Sequence, residues 1–186
     1  MSTVTVVLLI VAIAAVAFGL FMYIQKERTK RLRAKFGPEY DRVVDSYGNR
    51  TKAEDDLVHR QKRVEKLHLR DLTAADADRF ADAWRAEQAR FVDSPRDAIA
   101  NADRLVNELM KTRGYPMGDF EQRAADISVD HADVVEHYRA AHALAQKAER
   151  GSASTEDLRQ AMVHYRTLFE DLIETNTRQP AHAERS

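Results

Sequence analysis

The chain has 186 residues and a net charge of −1, from 29 Lys and Arg against 30 Asp and Glu. It contains no cysteine, which excludes disulfides, thiolate catalysis and Cys-ligated zinc or iron–sulfur centres. Six Gly and four Pro are few, and the chain after the first 25 residues is rich in Ala, Glu, Asp, Arg and Leu. This composition favours helix, so we predict an all-α protein.

The first predicted element is an apolar run of 21 residues without a charge, at residues 4–24. A helix of that length is about 31 Å long, close to the hydrocarbon thickness of a bilayer. Lipid offers no partner for a free backbone group, so such a segment crosses as a helix. We therefore predict that residues 1–25 form the transmembrane helix of a single-pass membrane protein.

A basic cluster follows the apolar run at once and consists of Lys26, Arg28, Lys30, Arg31, Arg33 and Lys35. The positive-inside rule places this flank in the cytoplasm, with the N-terminus outside and the C-terminal domain on the cytoplasmic side of the inner (plasma) membrane. Anionic lipids attract each juxtamembrane Lys or Arg by about 1 kcal/mol. The six basic residues are therefore the predicted contacts to membrane lipid headgroups.

Two further interpretations of the apolar run stay open. Ala15, Val16 and Ala17 resemble a signal-peptidase site, and cleavage there would leave a secreted helical protein. Against cleavage, no basic region precedes the run, and the run continues to Ile24. Ala15 and Gly19 also form a small-xxx-small pair, which leaves a homo-oligomer through the span open.

The charge is divided unevenly after the apolar run. Residues 26–72 hold 14 Lys and Arg against 9 Asp and Glu, whereas residues 73–186 carry a net charge of −6. We predict a basic juxtamembrane helical segment at 26–72 and an all-α bundle domain at 73–174. Residues 175–186 are polar and unpatterned, which predicts a disordered tail. Acidic residues are interleaved with the basic ones and no binding motif accompanies them, so nucleic acid is not a predicted partner.

Turn signals divide residues 26–72 into three helical pieces. The spanning helix is predicted to continue to about Phe36, where Gly37-Pro38 ends it. A short helix follows at 38–46, and Gly48-Asn49 separates it from a charged helix at 50–68. The thin apolar stripe of that last helix fits a coiled-coil-like strut or a lid, but it is shorter than the three or four heptads of a coiled coil.

About six helices are predicted after the span, and N-cap residues mark the starts of those in the bundle. The predicted caps are Thr73, Ser94, Asp119, Asp130 and Ser154. Gly114 and Gly151 mark helix ends. The last two helices then form a hairpin.

Side chains that could carry chemistry have simpler structural roles in this sequence. The histidines of the C-terminal hairpin lack the i, i+4 spacing of a metal-binding pair; they are His131, His137, His142 and His164. The nearby acidic residues are Asp126, Asp130 and Asp133, of which Asp130 and Asp133 suit a helix start. No phosphate loop, nucleophile elbow or kinase motif is present. We therefore predict that the protein binds no metal or cofactor, has no catalytic residue and is not an enzyme.

Most aromatic side chains of the predicted bundle have the spacing of a buried helix face. The loop between two of its helices, residues 115–120, is an exception. Tyr115, Met117 and Phe120 give it an apolar character. Such a loop either closes the end of the bundle or presents an apolar anchor to a partner protein. The three residues are therefore a candidate partner-facing site.

Four segments resemble a group of uncharacterised bacterial proteins with one N-terminal span and a helical cytoplasmic part. They are residues 33–42, 113–116, 119–126 and 154–162. The resemblance implies the architecture and brings no function or site residue. Since anchor, caps and core account for most residues, we predict a membrane-anchored adaptor or structural protein with an unidentified protein partner. The alternative is a lipid-surface or envelope-stress protein that reads anionic membrane through residues 26–70.

Overall fold

The structure is a computed structural model that describes the backbone of residues 3–178 and the side chains of residues 3 and 12–174. Within that part of the chain it has eight helices and no strand, which confirms the predicted all-α fold class. The contacts divide the chain between Val58 and His59 into two compact units. We call the N-terminal one unit 1 and the C-terminal one unit 2.

Unit 1 begins with α1 (Thr3–Phe36) and α2 (Pro38–Tyr47), and the first part of α3 (Arg50–Val64) completes it. The α1–α2 turn depends on Gly37, whose φ of 47° and ψ of −128° are unfavourable for a residue with a Cβ atom. A small core holds the three helices together and consists of Leu32, Phe36, Tyr40, Val43, Ala53 and Leu57. The predicted end of α1 at Phe36 is confirmed.

The predicted membrane span at residues 4–24 includes residues 4–11, whose side chains lie outside the described ones. Among the residues that the structure does describe, no helix offers an apolar stretch long enough to cross a membrane. The structure therefore supports the helix and not the span, and the transmembrane assignment stays a prediction.

Unit 2 contains the remaining helices of the described chain: α4 (Ala74–Arg90), α5 (Pro95–Thr112), α6 (Phe120–Ile127), α7 (Val135–Glu149) and α8 (Thr155–Arg178). α5 packs against α4, α7 and α8, while α7 and α8 form the predicted hairpin. The rings of Trp84 and Phe169 stack in the core with their centroids 4.6 Å apart. This arrangement confirms the predicted helical bundle.

Three of the predicted N-caps are formed by side chains. Thr73 accepts a hydrogen bond from the backbone N–H of Asp76, and Asp119 accepts one from Gln122. Ser154 forms a complete capping box, in which Asp157 donates its N–H to the Ser154 hydroxyl and accepts the Ser154 N–H.

Two predicted caps differ from the structure. Ser94 precedes α5 but makes no side-chain cap bond. α7 begins at Val135 instead of after Asp130, because residues 128–134 form successive turns. Val129, His131 and Val134 are buried. The apolar contacts of this segment with the rest of unit 2 therefore outweigh the helix start that the local sequence predicts.

The domain edges also lie elsewhere than the charge pattern indicates. α3 ends at Val64, earlier than residue 68, and the next turns carry Leu67, Leu69 and Leu72 onto the core of unit 2. Residues 59–72 therefore belong with the bundle. At the other end α8 continues to Arg178, and residues 179–186 of the predicted tail lie outside the described residues.

Candidate functional site

A cleft of about 690 Å³ opens in unit 1 between α1 and the first turn of α3. Four cationic side chains line it, and we call it the basic cleft: Lys26, Lys30, Arg33 and Arg50. Its other lining groups are the hydroxyls of Thr29 and Thr51, the amide of Gln25, the carboxylate of Glu54, and an apolar wall made by Phe21, Met22 and Tyr23. The cleft therefore joins an apolar wall to a positively charged one.

Helix periodicity explains why three of these cations share one side of α1. Lys26, Lys30 and Arg33 are spaced by four and three residues, which places them on one face of a helix. Arg50 reaches the same cleft from α3, because α2 and its two flanking glycines reverse the chain direction. The cleft is thus a product of the tertiary fold of unit 1.

The four cations differ in their ion pairing. Arg33 lies 3.3 Å from a carboxylate oxygen of Asp41, and Lys30 lies 3.1 Å from one of Glu27. Exposed pairs of this kind stabilise a protein by about 1 kcal/mol at most. Lys26 and Arg50 form no ion pair with any carboxylate among the described residues. These two cations are therefore available to a bound anion.

Glu54 forms the floor of the basic cleft and holds α1, α2 and α3 together. Glu54 is 3% exposed, and its carboxylate accepts hydrogen bonds from the Thr29 hydroxyl (2.7 Å) and from the Tyr40 hydroxyl (2.8 Å). Arg28 approaches it at 3.8 Å and pairs with Asp55 at 2.6 Å. Burial and the hydrogen bond to Glu54 raise the pKa of Tyr40. The carboxylate of Glu54 is therefore stabilised by groups of unit 1.

The predicted headgroup contacts separate into two groups in the structure. Lys26, Lys30 and Arg33 come together in the basic cleft. Arg28 turns toward the acidic side chains of α3, while Arg31 and Lys35 are exposed and do not line the cleft.

Sequence reasoning missed Arg50, Thr51 and Glu54 as lining residues. The available signal was the pair of glycine turns around a helix of ten residues, which brings α3 back alongside α1. That signal indicates a chain reversal, but it does not say which side chains then meet.

The two aromatic side chains of the loop at residues 115–120 pack onto unit 2. Tyr115 is 3% exposed, its hydroxyl has no hydrogen-bond partner among the described groups, and burial raises its pKa. Phe120 is half-buried and stacks on His142 with ring centroids 3.8 Å apart. Of the three predicted partner-facing residues, Met117 is therefore the one exposed to solvent.

The four histidines of the hairpin have separate partners. His131 is buried and forms a hydrogen bond with Asp171. The Nδ1 atoms of His137 and His164 lie 2.8 Å apart across α7 and α8, and burial together with His137 lowers the pKa of His164. Burial also lowers the pKa of His142. Among the described residues no three His, Asp or Glu side chains converge as metal ligands.

Asp126 is the buried member of the acidic group, and its role is structural. Arg63 donates from Nε at 2.8 Å and approaches from Nη2 at 2.7 Å, while Gln122 donates from Nε2 at 2.9 Å. These bonds join α3 to α6. Asp130 and Asp133 are exposed.

Comparison with protein-family models, with curated proteins and with solved structures found no match for this chain. Function is therefore inferred from the chemistry of the described side chains.

Proposed function

We propose that the protein is a single-pass membrane adaptor, in which α1 anchors unit 2 as a binding module at the cytoplasmic face of the inner membrane. The supporting observation is the exposed surface of α1. Eight large apolar side chains between Ile13 and Ile24 are 54–72% exposed, and none of the described residues covers them. A contiguous apolar surface of this kind marks a membrane or protein contact.

A bilayer fits this surface better than a protein groove. The exposed apolar side chains lie at many angles around the helix axis, whereas a groove covers one stripe. The apolar run is also long enough to span the hydrocarbon layer. The basic residues that begin at Lys26 then favour the cytoplasm for everything that follows.

We assign partner binding to the surface of unit 2, because several ionisable groups in its interior are held by partners within the fold. Arg63 pairs with Asp126, His131 pairs with Asp171, and the Tyr165 hydroxyl donates to Asp103. Recognition then falls to the surface, where Met117 offers an apolar side chain on a loop. Methionine is enriched in protein–protein interfaces relative to the rest of the surface.

Membrane insertion and orientation are tested with single cysteines, which the native chain lacks. Thr3→Cys reports the N-terminal side, and Ser152→Cys reports the exposed turn between α7 and α8. In spheroplasts treated with a membrane-impermeant maleimide, we expect labelling of Thr3→Cys at once and of Ser152→Cys only after permeabilisation. The protein is also expected to stay with the membranes at alkaline pH. Extraction at alkaline pH would rule out the anchor, and immediate labelling of Ser152→Cys would reverse the orientation.

The adaptor role is tested by crosslinking in living cells and purification through a C-terminal tag. We expect a dominant cytoplasmic or inner-membrane protein partner whose recovery falls at least about fivefold in Met117→Asp. Val92→Asp is the matched control, because Val92 is also an exposed apolar residue of unit 2. Equal recovery with the two variants would remove the loop from the proposal, and recovery of lipid and background proteins alone would remove the adaptor role.

A second candidate function is a lipid-surface or envelope-stress protein that reads anionic membrane through residues 26–70. The two cations without ion pairs, Lys26 and Arg50, favour it. In this case the amount of protein at anionic vesicles should fall as salt is raised, since exposed charges are screened. An association that ignores salt would exclude it.

A further inference from the structure

The basic cleft lies at the depth where lipid phosphates are found, if α1 is inserted as proposed. Lys26 and Lys30 follow Ile24 by two and six residues, which is about 3 and 9 Å along a helix. The polar headgroup layer extends roughly 5–8 Å beyond the hydrocarbon on each side of a bilayer. Lys26 therefore lies within that layer, and Lys30 lies at its outer edge.

We propose that the basic cleft is a binding site for the phosphate headgroup of an anionic glycerophospholipid, with Lys26 and Arg50 as its principal contacts. This inference rests on the proposed membrane anchor. General attraction by a basic flank would involve all of its cations equally. The proposed site instead uses two cations that the fold places in one cleft.

The arrangement of charge suits a phosphate. Arg50 has a planar fork of N–H donors that matches two phosphate oxygens, while Lys26 supplies a compact positive charge. Neither side chain forms an ion pair among the described residues, so binding a phosphate breaks no existing ion pair. Thr51 places a hydroxyl in the same lining. A phosphate placed here meets two cations and a hydroxyl donor.

The carboxylate of Glu54 does not cancel this positive charge. Four cations line the cleft with this one carboxylate. Glu54 is almost fully buried, and Thr29 and Tyr40 donate hydrogen bonds to it. These hydrogen bonds, and Arg28 at 3.8 Å, stabilise the carboxylate within unit 1, and four cations against one carboxylate leave the cleft lining with a net positive charge.

The apolar wall distinguishes a lipid from a soluble phosphate compound. Phe21, Met22 and Tyr23 line one side of the cleft and remain 54–63% exposed. Acyl chains would cover Phe21 and Met22, and Tyr23 suits the interface between hydrocarbon and headgroups. The cleft volume is also within the range of small-molecule sites, roughly 300–1,000 Å³. Charge and apolar surface together therefore fit one molecule that carries both.

The test compares two double variants of the full-length protein that lose the same charge. Lys26→Gln/Arg50→Gln removes the two cleft cations without ion pairs, and Arg31→Gln/Lys35→Gln removes two exposed cations outside the cleft. Each protein is purified in detergent, mixed with phosphatidylglycerol or phosphatidylcholine, and examined by native mass spectrometry for retained lipid. Alkaline extraction and the Ser152→Cys labelling are repeated for each variant, so that loss of insertion is measured separately.

We expect the native protein to retain phosphatidylglycerol in preference to phosphatidylcholine. The cleft variant should lose at least about tenfold in that retention, because each lost cation near the lipid weakens it. The Arg31/Lys35 variant should retain the lipid as the native protein does. Equal losses in both variants would overturn the site in favour of diffuse attraction, and no loss in either would overturn it outright.

A further arm separates a lipid from a free phosphate. Inorganic phosphate or glycerol 3-phosphate is added at millimolar concentration to the lipid-bound protein. We expect the lipid to stay bound, because neither compound contacts the apolar wall. Complete displacement would assign the cleft to a soluble phosphate and overturn the lipid proposal. A native protein that inserts normally but retains phosphatidylglycerol no better than phosphatidylcholine would overturn this inference and leave the proposed anchor standing.

Discussion

The buried carboxylate of Asp126 is stabilised mainly by Arg63, a residue far away in the sequence. Arg63 supplies two of its contacts, and the other comes from Gln122, one turn earlier on the same helix. A carboxylate removed from water is costly unless hydrogen bonds and charge compensate it. This pair therefore carries much of the connection between α3 and α6.

Replacing Arg63 by Met should lower the free energy of unfolding by about 1.5–3 kcal/mol, because Asp126 then keeps only its bond to Gln122. Lys62→Met is the control, since Lys62 is an exposed neighbour on α3, and it should change stability by less than about 0.5 kcal/mol. Urea unfolding of the detergent-solubilised protein measures both. Trp84 provides the fluorescence signal, because it is the one Trp of the chain and lies in the core of unit 2. Equal effects of the two variants would contradict a special role for the pair.

Among the glycines of unit 2, Gly114 leaves the least room for a side chain. Its φ is 94°, and a Cβ atom there would lie 2.7 Å from the backbone oxygen of His68. Gly114→Ala should cost about 2 kcal/mol or more, through backbone strain and the clash. Gly151→Ala shares the positive φ but meets nothing within 4 Å, so its cost should be about 1 kcal/mol. Urea unfolding measures the loss of stability in both variants. A loss in Gly151→Ala as large as that in Gly114→Ala would argue against the clash.

At the scale of the helices, local signals predict most starts and ends in this protein. Thr73, Asp119 and Ser154 cap their helices as expected, because a cap needs only a side-chain oxygen near free N–H groups of the next turn. The start of α7 is the exception. Burial of Val129 and Val134 keeps that segment in turns, which no local pattern indicates.

Two serines that precede helices provide a matched test of capping. Ser154→Ala removes a capping box at α8 and should lower the free energy of unfolding by about 1 kcal/mol. Ser94→Ala at α5 should have little effect, because its side chain makes no cap bond. Urea unfolding followed by Trp84 fluorescence compares the two. If Ser94→Ala destabilises as much as Ser154→Ala, the hydroxyl bonds do not explain helix initiation here.

For the whole molecule, the histidines of the α7–α8 hairpin couple the stability of unit 2 to pH. Burial lowers the pKa of both His142 and His164 in the folded protein, and His137 adds to the effect on His164. The unfolded chain therefore binds more protons than the folded one as the pH falls below about 6.5, the ordinary histidine pKa. The contribution is fully present above that pH and is lost progressively below it.

We accordingly expect the free energy of unfolding to be constant near pH 7.5 and to decrease as the pH falls from about 6.5 to 5. His164→Gln should reduce the slope of that decrease, since it removes one of the protonating groups. His59→Gln, which replaces an exposed histidine, should leave the slope unchanged. Urea unfolding at several pH values measures the slopes, and an unchanged slope in His164→Gln would show that the hairpin histidines are not its source.

The sequence by itself determined the properties of this protein that depend on neighbours along the chain. Helical composition, the glycine turns, three caps and the order of apolar and basic segments are all local, so they can be read from residue type and spacing. Three of the four cations of the basic cleft were also predictable, because Lys26, Lys30 and Arg33 lie on one helix.

Only the tertiary structure decided which distant side chains meet. It brings Arg50 into the same cleft as Lys26, places Arg63 against Asp126, and assigns residues 59–72 to unit 2. It also turns Tyr115 inward and leaves Met117 in solvent. Such contacts arise from long-range packing, in which burial of apolar surface sets how helices lie against each other, and the spacing of residues along the chain does not specify that arrangement.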